Sequence, residues 1–126
     1  MPQRAPTNAE LEILHVLWQR GPSTVRDVHE SLDHAKPVGY TTVLKLLQIM
    51  VEKGLARRDA SARSHVYAAA ASQGATQRRM VADLVRRVFG GSTLGLVLHA
   101  LSASPATARE LAQIRRLLDE KKGGRT

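Results

Sequence analysis

The sequence predicts a mainly helical chain: three helices, a small β-hairpin, then three more helices. Three observations carry that expectation. Apolar residues recur at three- and four-residue spacing along successive segments of the chain. Strand-favouring Val66 and Tyr67 stand in one of two short segments that can pair as a hairpin. Hydrophobic residues make up 43% but aromatics only 3%, so the core must come mostly from Leu, Val and Ala, which favours helices over a large sheet.

Each element has its own signal. Thr7-Asn8-Ala9-Glu10 reads as a capping box, in which Thr7 caps and Glu10 reaches back. Leu11, Leu14, Leu17 and Trp18 follow at helical spacing, and Gly21-Pro22 ends this first helix. Ser23-Thr24 is the candidate cap of a short second helix with Val25, Val28 and Leu32 on one face. His34 to Gly39 reads as a loop, from its Pro37 and Gly39. A third helix starts at Tyr40, with Val43, Leu46, Leu47 and Met50 as its buried stripe and Gly54 as its C-cap. Segments 55–59 and 64–69 can form the hairpin, although Ala60 to Arg63 between them lacks the Gly or Asn that a tight turn favours.

The remainder is helical. Met80, Val81, Leu84, Val85 and Val88 make a broad apolar face stopped by Gly90-Gly91. Leu94, Val97, Leu98 and Leu101 make another helix. Thr107-Ala108-Arg109-Glu110 is a second capping box, opening a last helix with Leu111, Ile114 and Leu118 before Gly123-Gly124. The first five elements are in the order of a winged helix-turn-helix. The expected division is residues 1–71 as a winged-helix DNA-binding domain and residues 72–126 as a three-helix dimerisation domain. Some fifty residues in three amphipathic helices bury little surface alone, and a second copy of the chain is the simplest cover.

Composition narrows the function. The formal net charge is +8 and the isoelectric point about 10.8, which points to an anionic partner, nucleic acid first and an anionic membrane surface second. The absence of cysteine excludes disulfides, thiolate metal sites and a Cys nucleophile. No apolar run approaches a membrane span and Met1 to Pro6 has no signal-peptide core, so a cytoplasmic protein is expected. His15, His29, His34, His65 and His99 show no metal-site spacing, so neither metal nor cofactor is expected. No nucleophile motif or phosphate loop argues for an enzyme. Trp18 and Phe89 read as core or interface anchors.

Charge is distributed unevenly. Residues 36–65 hold six basic against two acidic residues, whereas residues 1–35 hold three against five. A basic reading surface on a non-basic support is what a duplex-facing side requires. In the third helix Tyr40, Thr41, Thr42, Lys45 and Gln48 fall off the apolar stripe. Thr and Gln can hydrogen-bond base edges, and Lys can reach a phosphate or guanine. The hairpin adds Arg57, Arg58, Arg63 and His65, suited to clamping phosphate or entering a minor groove. Residues 71–126 hold ten basic against four acidic residues, and Arg78, Arg79, Arg86 and Arg87 alternate with the apolar stripe there.

The segment GYTTVLKLLQIMVEKGLARRDASARSHVYAAA resembles the recognition helix and wing of the BlaI/MecI/CopY (penicillinase repressor) family. PTNAELEILHVLW and GPSTVRDVHESL are similar to its first two helices, and FGGSTLGLVLHAL and TARELAQIRRLLDE to its C-terminal dimerisation helices. The resemblance spans about residues 6–121. It implies a homodimeric transcriptional repressor on a palindromic operator, controlling a β-lactam-type resistance operon and its own gene. By position it assigns Thr41, Thr42 and Lys45 to the DNA-contacting face and Arg63 and Tyr67 to the wing. The apolar faces of the last three helices assign Met80, Leu84, Val88, Leu94, Val97, Leu98, Leu101, Leu111, Ile114 and Leu118 to the dimer. Release in the family usually follows cleavage at an Asn-Phe pair by a membrane metalloprotease sensor, and His99-Ala100 stands at that place here. The copper-responsive branch uses a C-terminal Cys motif that this chain lacks. Two other readings of the residues stand beside this one: a winged-helix regulator with a small effector between its domains, and a winged-helix module used for protein assembly.

Overall fold

A computed structural model describes residues 5–32, 37–61 and 63–123 of the chain. Parts of the expected loop at His34–Gly39 and of the turn at Ala60–Arg63 lie outside the described residues, as does the tail from Gly124. The described residues form six helices and three short strands. The chain divides into two compact units, Met1–Met80 and Val81–Thr126.

The first unit begins with α1 (Asn8–Arg20). Its capping box is formed: the Glu10 N–H donates to Thr7 Oγ1 at 3.2 Å, and the Thr7 N–H donates to Glu10 Oε1 at 2.8 Å. Gly21 closes the helix, and its N–H donates to the Leu17 carbonyl. Ser23 and Thr24 form a two-residue strand, β1. Thr24 then caps α2 (Val25–Ser31) in a second capping box, with Asp27 as its acid. α3 (Tyr40–Lys53) follows, and β2 (Ala56–Asp59) and β3 (Val66–Ala69) make the hairpin.

The hairpin is part of a three-stranded antiparallel sheet ordered β1-β3-β2. The third strand adds to the expected hairpin. Two residues are too short to show a periodic pattern, so β1 is defined only by its pairing of Ser23 with Tyr67 and Thr24 with Val66. That pairing also divides the expected cap: Ser23 is a buried strand residue and Thr24 alone is the cap.

One core holds this unit together. Val28, Val43, Leu47 and Met50 are fully buried, with Ile13, Leu14, Leu17, Leu55 and Tyr67 nearly so. Leu46, expected in the buried stripe of α3, is partly buried and packs on the core from outside. Trp18 also packs on it, and its Nε1–H donates to the Ala71 carbonyl at 3.0 Å, fastening the chain after β3 to α1. Gly54 ends α3 in the left-handed region, φ 82° and ψ 13°, where a Cβ would be strained.

Glu10 is 1% exposed. Lys53 Nζ donates to both its carboxylate oxygens, at 2.8 and 3.0 Å, joining the start of α1 to the end of α3. Burial raises the Glu10 pKa most, but the Lys53 hydrogen bond, the Thr7 N–H and the Lys53 charge together hold it below the ordinary carboxylate value.

The helices α4 (Gln73–Arg87), α5 (Thr93–Ala103) and α6 (Ala108–Gly123) contain no buried residue. Gly90 and Gly91, at φ 56° and 89°, make the turn after α4, and the Gly91 N–H closes it on the Val85 carbonyl. Ser92 caps α5, and the Thr107–Glu110 box caps α6 as its spacing predicts. Within the second unit Phe89 lies 5.4 Å from the His99 ring and closes against Gly95.

Candidate nucleic-acid interface

The outward side of α3 follows from its inward side. Val43, Leu47 and Met50 fix the buried direction. At about 100° per residue, Thr41, Lys45 and Gln48 fall within roughly 50° of the opposite direction. All three are exposed, and Thr42, also exposed, lies on one flank. Tyr40, half exposed, lies on the other flank beside Leu44. Glu52 shares the outward stripe and is exposed. A carboxylate there disfavours phosphate at the C-terminal end, so the stripe suits a duplex only over its first turns.

The start of α3 differs from the other helix starts. Thr7, Thr24, Ser72, Ser92 and Thr107 each accept a hydrogen bond from a backbone N–H of the helix they begin. Gly39 begins α3 without a side-chain cap, and no acidic residue stands in its first turn. The positive end of this helix is left open to an anion.

A groove of about 690 Å³ runs between the start of α2, the first turns of α3 and the wing. It brings together Tyr40, Arg63 and His65 from the predicted set, with Thr24, Arg26 and Ser64. Arg26 was hidden to sequence reading because it sits in a segment whose net charge is negative. Arg57 and Arg58 do not line this groove. They are exposed on β2, opposite Ala68 and Tyr67, and as consecutive strand residues they project to opposite faces of the hairpin. Asp59 closes the strand. Ser61 hydrogen-bonds its carboxylate through both side chain and N–H, holding its pKa below the ordinary range.

Ion pairing sorts the cations. Among the described residues Lys45, Arg57, Arg58 and Arg63 take part in no ion pair, so their charges are available to an outside anion. Arg86 and Arg87 both pair with Asp83 on α4. No three His, Asp or Glu side chains gather as a metal site would require among the described residues.

The predicted dimer residues lie on α4, α5 and α6. Leu84, Val88, Leu94, Val97, Leu98, Leu111 and Leu118 are exposed, as are Val81 and Leu117, whereas Met80, Leu101 and Ile114 are half-buried. His99 and Ala100 are exposed inside α5, where His99 Nδ1 lies 2.9 Å from the Gly95 carbonyl.

A family profile described as Penicillinase repressor matches residues 6–120. The chain belongs to the penicillinase-repressor family. This repressor-family chain is a transcriptional regulator and not an enzyme. It is 31% identical over 117 residues to the transcriptional regulator BlaI of Mycobacterium tuberculosis, in two strains, across 91% of this chain and 83% of the relative. A solved structure described as the complex structure of hsRosR-S4 shares the fold, with a TM-score of 0.53 at 15% identity over 96% of this chain and 93% of that one. No described helix of the repressor is long and apolar enough to cross a membrane.

Proposed function

We propose that this repressor acts in the cytoplasm as a homodimer on a palindromic duplex operator. Residues 1–71 read one half-site each, and residues 72–126 pair two copies. The observation that carries the reading is the outward stripe of α3: Thr41, Lys45 and Gln48 stand exposed opposite a fully buried Val43, Leu47 and Met50. A helix held in that way fits the major groove with its first turns against base edges. Thr41, Thr42 and Lys45 set base preference. Tyr40, Arg63 and His65 face the phosphates through the groove, and Arg57 and Arg58 extend the basic wing.

Pairing through α4–α6 is supported by the exposed aliphatics there, which have no cover within the second unit. The family description and the name of the relative support control of a β-lactam-type resistance operon; control of the repressor's own gene is part of the same proposal. A membrane metalloprotease would have to unwind α5 before cutting at His99–Ala100, because that bond lies inside the helix. The test is a footprint on the DNA upstream of the chain's own coding sequence. Two protected half-sites related by a dyad, about one helical turn apart or a multiple of that, are expected. Protection of a lone half-site, or none, overturns the reading.

A further inference from the structure

The geometry points to His29 as the residue that positions the reading end of α3. The inference rests on the operator-binding reading above. Ahead of Val43, the first turn of α3 consists of Tyr40, Thr41 and Thr42, none of them buried. The middle of the helix is held by Val43 and Leu47, and its far end by Met50, the Gly54 cap and the Glu10–Lys53 ion pair. The near end has no capping side chain, because Gly39 occupies that place. Two contacts from α2 stand in for it. His29 Nε2 lies 2.8 Å from the Val38 carbonyl, two residues before the helix begins. The same ring meets Tyr40 nearly at right angles, with centroids 6.0 Å apart and planes at 76°. A carbonyl only accepts, so Nε2 carries the hydrogen and donates. One imidazole therefore fixes both the strand of backbone that leads into α3 and the first side chain of its exposed turn.

That end of the helix is where base edges are met, and sub-ångström placement decides whether a hydrogen bond to a base forms. Phosphate contacts made by flexible Lys and Arg side chains tolerate such a shift. Loss of the His29 clip should therefore reduce sequence-specific binding while sparing non-specific binding. Gln can present an amide N–H near the position of Nε2, whereas Phe can present only an aromatic ring.

The experiment uses the full-length chain and the duplex that the unaltered protein enriches from a random-sequence library, with an unrelated duplex as the non-specific probe. His29→Ala should weaken specific binding by about fivefold to tenfold, the worth of one hydrogen bond, and leave non-specific binding unchanged. His29→Gln should recover most of the loss, and His29→Phe little of it. Equal losses on both duplexes, or no loss on either, would overturn the assignment. If His29→Ala proves unfolded by circular dichroism, the contrast between Gln and Phe decides instead, and equal specific affinity of those two variants counts against the clip. An unaltered protein that enriches no sequence removes the operator reading itself, and the inference falls with it. Enrichment followed by indifference to all three variants removes the inference alone.

Discussion

Leu98 gives the sharpest test of pairing through the C-terminal helices. It stands on α5 and leaves 56% of its surface in water. Full burial of a leucine side chain is worth about 1.5–3 kcal/mol, so covering the remaining half contributes about 1–1.5 kcal/mol. A two-fold interface buries two copies. Alanine keeps one of the four side-chain carbons, so Leu98→Ala should weaken the dimer by about 1–3 kcal/mol, roughly 5–150-fold in its dissociation constant. Sedimentation or light scattering across a dilution series reads this directly. The melting of the first unit should not change, because its core contains no residue of α5. Leu94→Ala and Leu118→Ala, at residues 66% and 62% exposed, should act in the same direction. Unchanged dissociation constants in all three variants would refute the argument that a second copy covers these side chains.

Other outcomes follow from the same structure. Lys45→Ala should cost about 1–3 kcal/mol of operator binding if it reads a base, measured by titration against operator and mismatched duplexes. Arg57→Ala or Arg63→Ala should weaken all duplexes alike and reduce the slope of log affinity against log salt by about one, read from titrations at several salt concentrations. Leu47→Ala should lower the unfolding free energy by about 2–5 kcal/mol in a urea melt, since Leu47 is fully buried. The depressed pKa of Glu10 means its stabilisation is fully present above the ordinary value of 4.5 and is lost as pH falls through the lower folded value. Glu10→Gln should therefore flatten the acid limb of a stability-against-pH curve, and should cost about 1.5–3 kcal/mol at neutral pH, because Lys53 loses a charged partner.

What sequence reading recovered, and what it did not, divides by distance along the chain. The Thr7–Glu10 and Thr107–Glu110 boxes were legible because cap and acid are three residues apart. Gly54 and Gly90-Gly91 were legible because only glycine takes those backbone angles freely. The outward set on α3 followed from the buried stripe by helical geometry alone. The Glu10–Lys53 pair was not legible: 43 residues separate its members, the capping box already gives Glu10 a local role, and Lys53 looks like an ordinary surface charge. Nor was β1, whose existence depends on Tyr67 arriving beside Ser23. Arg26 and His29 belong to α2, and tertiary packing alone brings them to the groove and to the start of α3. The apolar faces of α4–α6 were plain in the pattern, yet a pattern names a face without naming its cover.

Under the proposed reading, the arrangement of α3 separates stability from recognition on a single element. Its buried side and its C-terminal end carry the contacts that hold the unit together: Val43, Leu47, Met50, the Gly54 cap and Lys53 on Glu10. Its N-terminal end and outward side carry polar groups with little structural role, and the cap that usually finishes a helix start is missing there. Thr41, Thr42, Lys45 and Gln48 can therefore change with little effect on folding, since exposed positions away from caps and core usually shift stability by less than about 0.5 kcal/mol. If those four residues read the operator as proposed, such a fold can acquire new operator sequences by substitution there while its core stays fixed. A structural demand left at that end is placement of the first turn, which the proposed His29 clip from α2 would meet.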